Sequence, residues 1–210
     1  MLDLILPLEC GGCGAPSTRW CEACVTELSV AADQPHVVTP RMDPLVPVFA
    51  LGRYAGARRR AILGLKEHGR RDLVAPLARP LAVGLHRLLS WGVVEAPLTI
   101  VPAPTRRWAA RRRGGDPVTR LARAAVAGYP DIAVAQCLRM TPLARDSAGL
   151  GSGARERNIA GRVLLRGRRP GTEVLLVDDI VTTGATARES VRILRGAGVR
   201  VVAVLTFAAA

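Results

Sequence analysis

The chain has 210 residues, 49% hydrophobic but only 3% aromatic, and a formal net charge of +13. That length suits one α/β domain plus a small appendage, and that apolar content excludes a disordered tail. A membrane span needs roughly 18 apolar residues; the longest candidate, near residues 73–94, is broken by Arg79, His86 and Arg87.

The charge is uneven. Residues 1–50 carry 2 basic and 6 acidic side chains, whereas residues 51–210 carry 28 and 11, a net of +17. A basic body attracts polyanions, whether phosphorylated metabolites or nucleic acid, although a chain in which 29 of 30 basic residues are Arg also fits plain compositional bias. The start, MLDLILPLEC, carries Asp3 and lacks the basic stretch of a secretory signal, so a cytoplasmic location is expected.

In chain order, residues 1–30 form a cysteine-bearing unit and 31–46, rich in Pro and Asp, read as a linker to a domain over 47–210. The unit holds Cys10-x2-Cys13 and Cys21-x2-Cys24, with Gly11, Gly12 and Gly14 allowing a sharp backbone. Four soft ligands in two such pairs suit a structural, tetrahedral Zn²⁺; two disulfides and an iron–sulfur site are the alternatives. Next, PVFALGRY reads as a strand. Residues 57–68 read as a helix with Ile62, Leu63 and Leu65 inward and Arg58–Arg60 outward, and 72–90 as a second helix with leucines at a 3.6-residue period. Lys66, the only lysine, is either a chemical requirement or an ordinary helix lysine.

The run LTIVPAP (98–104) is a strand ending in two prolines, followed by the basic loop RRWAARRRGGDP and a helix over 117–127. Residues 132–135 are a short strand and 140–158 a Gly-, Ser- and Arg-rich loop. Residues 173–177 read as a buried strand, 185–197 as a helix capped by Gly198, and 199–207 as a final strand. Strands alternating with helices imply a parallel sheet covered on both faces. Cys137 reads as a buried structural cysteine, and His36, His68 and His86 have no ligand spacing.

The run VLLVDDIVTTGATARES (174–190) carries the most chemistry. An apolar strand ends in Asp178 and Asp179, and a turn of Thr182, Thr183, Gly184, Ala185 and Thr186 opens into a helix. Small residues let backbone N–H groups converge on an anion, the helix N-terminus adds its dipole, and Gly184 allows close approach. The carboxylates repel phosphate but accept hydrogen bonds from sugar hydroxyls, directly or through Mg²⁺. A phosphate site beside a diol site describes a ribose 5-phosphate; a capped, Thr-rich turn with a surface acid pair is the bland alternative.

This run resembles the signature of type I phosphoribosyltransferases, and nearly the whole chain resembles the ComF-like members of that fold, proteins linked to DNA uptake and competence, in which a cysteine finger precedes the transferase domain. LGRYAGARRRAILGLKEHGRRDL is similar to the family's stretch around a lysine, here Lys66. IVPAPTRRWAARRRGGDP is similar to its Val-Pro-x-Pro loop, with Gly115, Asp116 and Pro117 replacing the usual Phe, Asn and Gln. RDSAGLGSGARERNIAGRV is similar to its mobile loop, with Ser147 where Gln is usual. The resemblance implies binding of phosphoribosyl pyrophosphate with Mg²⁺. Asp178 and Asp179 would hold the ribose hydroxyls, and Thr182 to Thr186 the 5-phosphate. Pro102, Ala103 and Arg106 or Arg107 would face the pyrophosphate, with Lys66 and Arg155 or Arg157 closing over it. Purine-salvage members carry an acid at the position of Thr182, so an ordinary purine acceptor is disfavoured. Two other functions compete with transfer: single-stranded DNA handling, which would use the basic body and Arg111–Arg113, and sensing of the metabolite without catalysis.

Overall fold

A computed structural model describes residues 8–105, 115–141, 159 and 161–210. Its strands are β1 (His36–Val37), β2 (Val48–Ala50), β3 (Leu98–Pro102), β4 (Ile132–Val134), β5 (Leu138–Met140), β6 (Val163–Leu165), β7 (Glu173–Val181) and β8 (Val201–Ala209). Its helices are α1 (Glu22–Glu27), α2 (Gly56–Lys66), α3 (Val74–Ser90, entered through a 3-10 turn at Arg71–Leu73), α4 (Pro117–Ala125) and α5 (Ala185–Gly196). Six strands share one sheet in the order β1-β2-β8-β7-β3-β4. All neighbours run parallel except β1, which is antiparallel to β2. β5 and β6 form a separate antiparallel pair.

Side chains alternate across a strand, so an unbroken apolar run must be covered twice. Along β7, Leu175 and Val177 join one core with α2, α3 and α4, while Val174, Leu176 and Val181 join a second with α5 and the β5–β6 pair. The mixed α/β fold, with a mostly parallel central sheet flanked by helices, follows from this pattern. The leucine period of the second helix is real: Leu73, Leu77, Leu81, Leu85 and Leu88 are all buried.

Several readings of the sequence change in the structure. β7 does not stop before the acid pair. It loses β3 after the pairing of Pro102 with Val177, where prolines end the β3 ladder, but β8 carries it on through Asp178↔Thr206 to Val181↔Ala209. The carboxylates therefore stand on the strand itself. Arg58 does not point outward: it is buried, its guanidinium 5.1 Å from the Phe207 ring centre and its Nη1 donating to the Phe207 carbonyl at 3.4 Å. Burial holds its pKa below the usual arginine range, against the opposing charge of Glu27.

The cysteine unit shares the sheet's core. Cys10, Cys24 and Leu28 are buried with α2 and α3. Glu27 Oε1 accepts from the Ala57 N–H at 2.8 Å, which caps α2, and Arg60 Nη1 donates to the Cys13 carbonyl at 2.8 Å. The segment read as a linker is a fitted strap. It supplies β1, the Met42 N–H donates to the Thr183 carbonyl at 2.8 Å, and Arg195 Nη2 on α5 donates to the Leu45 carbonyl at 3.1 Å. Among the described residues, no helix is long and apolar enough to cross a membrane.

Candidate functional site

β3 and β7 are neighbours in the sheet, yet β3 leads through α4 to β4 on one side and β7 leads through α5 to β8 on the other. α4 and α5 lie on opposite faces. Loops that diverge in this way leave a crevice at the carboxyl ends of the two strands, the place where open α/β sheets take ligands. The acid pair stands at this crevice.

Lys66, the last residue of α2, brings its Nζ to 2.7 Å from Asp179 Oδ2, with 27% of the lysine side chain and 10% of the aspartate exposed. The contact is a short ion pair, and among the described residues Oδ2 meets no other donor. Burial opposes the ammonium, but the charges of Asp179 and, behind it, Asp178 outweigh that and raise Lys66 above an ordinary lysine. Asp178 is held the other way: burial and then the Asp179 charge push its carboxyl well above the usual carboxylate range, with Lys66 pulling against them. Asp178 Oδ1 also accepts from the Asp179 N–H at 2.8 Å.

Beyond the acids, Gly184 turns the chain with φ +82 and starts α5. The Ala185 N–H donates to Thr183 Oγ1 at 3.4 Å, while Thr182 and Thr186 remain partly exposed. The close approach expected at Gly184 is made by the protein's own strap: a Cβ there would lie 2.5 Å from the Met42 carbonyl oxygen and 2.8 Å from Pro40. Gly184→Ala therefore combines a left-handed backbone with a clash against main chain. It is expected to cost about 1–3 kcal/mol for the conformation alone, read as a lowered melting temperature, and to displace the Thr182–Thr186 turn. A variant melting with the wild type would remove this account of the strap.

On the facing strand, Pro102 and Ala103 do border the crevice, but they offer it no backbone donor. Pro102 and Pro104 lack an N–H, and the Ala103 N–H donates to the Val177 carbonyl at 2.7 Å. Asp116 gathers the far end of this connection: it accepts from Thr105 Oγ1 at 2.8 Å and from the Thr119 N–H at 2.9 Å, which caps α4. Arg106, Arg107, Arg155 and Arg157, and the Arg111–Arg113 cluster, lie outside the described residues. An open groove of about 630 Å³ at Arg168, Arg169 and Gly198 lies at the opposite, amino ends of β7 and β8, away from the acid pair.

The second cluster is the cysteine unit. The sulfurs of Cys10, Cys13, Cys21 and Cys24 all lie within 4.8 Å of one another. Cys10 Sγ is 3.6 Å from both Cys21 Sγ and Cys24 Sγ, Cys13 Sγ is 3.5 Å from Cys21 Sγ, and none is bonded to another. Zn–S bonds of about 2.3 Å place tetrahedral sulfurs about 3.8 Å apart, so the set fits one thiolate-bound metal ion such as zinc. Gly12 makes room, since a Cβ there would sit 2.5 Å from Cys24 Sγ. Cys137 is buried and its thiol is raised by that burial, as a structural cysteine should be.

No protein-family model and no curated protein matches the chain. The chemistry must therefore be read from the residues. One end of the sheet holds two carboxylates, one of them paired with an ammonium. A hydroxyl-bearing turn at a helix N-terminus follows them. Hydroxyl donors and an anion are what such neighbours can hold together. The strap and the Lys66–Asp179 pair are what the sequence reading missed, and both join residues more than 100 positions apart.

Proposed function

We propose that the chain binds 5-phosphoribosyl pyrophosphate at the crevice between β3 and β7 and transfers its phosphoribosyl group to an acceptor. The observation that carries the reading is the acid pair on β7 followed directly by the left-handed turn at Gly184 and the start of α5. Asp178 and Asp179 accept from the ribose hydroxyls, and the Thr182–Thr186 turn takes the 5-phosphate. In such a transfer the C1–O bond to pyrophosphate breaks, positive charge develops on the ribose ring, and the acceptor forms the new bond to C1. The nearby carboxylates favour that developing charge. Mg²⁺, when bound, neutralises the departing pyrophosphate. The resemblance of the chain to the ComF-like phosphoribosyltransferases supports the same reading, with a metal-bound four-cysteine finger as a structural unit. Thr182, which cannot replace a carboxylate in proton transfer, points away from an ordinary purine acceptor.

Calorimetry with phosphoribosyl pyrophosphate and Mg²⁺ tests this. The wild type is expected to bind, and Asp178→Ala combined with Asp179→Ala to lose two charge-assisted hydrogen bonds, roughly 3–6 kcal/mol together. Absence of a binding heat in the wild type, or equal affinity in the double variant, would sink the proposal.

A further inference from the structure

Two adjacent carboxylates withdrawn from water need a cation beside them. In this chain that cation is internal. The Lys66 ammonium lies against Asp179 Oδ2, which has no other donor among the described residues and belongs to a carboxylate that the reading above gives to the ribose hydroxyls. Lysine and hydroxyl compete for one oxygen. We infer that Lys66 is a latch: it occupies the diol-binding acid in the ligand-free protein and moves to the pyrophosphate when the ligand arrives.

The residue type fits a part that moves. Among 30 basic residues this is the single lysine, a compact charge on a four-carbon stem, where an arginine would form a planar, two-pronged grip on the carboxylate. The grip is also a single contact, one ammonium on one carboxylate oxygen. A sugar hydroxyl that donates in line can take over that oxygen, and the pyrophosphate offers the displaced ammonium a higher negative charge.

The surroundings confine the motion to the side chain. Before Lys66, α2 is fastened to the cysteine unit by Glu27 on the Ala57 N–H and by Arg60 on the Cys13 carbonyl. After Lys66, Arg70 donates to the carbonyls of Glu9 at 3.0 Å and Arg19 at 3.5 Å. The helix is thus held on both sides of the lysine, so the backbone stays while the stem pivots. The cysteine unit, through α2, sets where the latch is hinged.

Because the chain has one lysine, an amine-modifying reagent read by peptide mass reports on Lys66 alone, apart from the N-terminal amine. The inference rests on the phosphoribosyl reading, so calorimetry accompanies each arm. The ligand-free wild type is expected to label slowly and Asp179→Asn several-fold faster, because the Asp179 charge is what holds the ammonium protonated against burial. Saturating ribose 5-phosphate, which fills the diol site without a pyrophosphate, should raise the wild-type rate towards that of Asp179→Asn. Phosphoribosyl pyrophosphate with Mg²⁺ should restore slow labelling. Binding of ribose 5-phosphate with an unchanged or slower rate overturns the latch, as does equally fast labelling with either ligand bound. If neither ligand gives a binding heat, the phosphoribosyl reading fails and the latch falls with it.

Discussion

Asp178→Asn is expected to make the protein more stable at neutral pH while weakening its hold on phosphoribosyl pyrophosphate. Burial first, and the neighbouring Asp179 charge second, hold the Asp178 carboxyl well above its ordinary range, only partly offset by Lys66. A carboxyl whose folded pKa lies above its unfolded value costs stability on ionising. The cost is absent below the ordinary carboxylate range and grows as pH rises through the window up to the raised folded value. Asparagine removes it and keeps the oxygen that accepts the Asp179 N–H at 2.8 Å. The variant should therefore melt higher at neutral pH, by about 2–4 °C for each kcal/mol relieved, and match the wild type in acid. Its affinity for the ligand should fall about ten- to a hundredfold, the value of one charge-assisted hydrogen bond. Melting curves at both pH values, set beside calorimetry, check the two halves. A lower melting temperature at neutral pH would make Asp178 a structural residue. Higher stability with weaker binding would mark a residue whose placement favours function over the fold.

The largest loss of stability is expected from the cysteine unit. Zinc bound to such sets has an apparent free energy of about 10–16 kcal/mol, comparable to the entire stability of a typical domain, about 5–15 kcal/mol. Cys10 and Cys24 lie in the core shared with α2 and α3, so the loss is not confined to an appendage. Chelation, or Cys24→Ser, should release about one metal ion per chain and lower the melting temperature by more than about 10 °C. The thiols give this a pH sign. Burial opposes the Cys10 thiolate, but the backbone N–H groups of Cys13, Cys21 and Gly12 outweigh it and lower its pKa to about 6. Burial and the neighbouring sulfurs push Cys24 upward instead. At neutral pH the metal-free set thus holds a proton on Cys24, and metal loading must release it. Affinity should fall as pH falls, faster once Cys10 also protonates near 6. Elemental analysis and melting with and without chelator test this; an unchanged melt after complete metal removal would refute it.

What was legible in the sequence is what lies contiguous in it. The apolar run of β7, the acid pair, the hydroxyl turn and α5 form one uninterrupted stretch, and each part keeps its own local signature. The paired cysteines are equally local. Arg58 was misread because the helical period of α2 fixes its face but not what lies over that face; Phe207, from the other end of the chain, supplies the cover. The extension of β7 past its acids depends on β8 continuing alongside, which no property of Asp178 or Asp179 announces. The meeting of Lys66 with Asp179 is of the same kind. Composition singled out the lysine, but only the packing of α2 beside the sheet gives it a partner. β1, β5 and β6, two or three residues each, are too short for any period to show.

The strap that backs Thr183 and Gly184 limits how this protein can be cut and recombined. A cut at residue 46, the boundary that composition proposes, would keep every parallel strand but remove Met42 and Pro40 from behind the turn. The Thr183 carbonyl would lose its partner and the turn would lose the wall that fixes its shape. A chimera that keeps the turn in place has to inherit residues 36–46 with the sheet, and the cysteine unit with them, because that unit shares its core with α2 and α3.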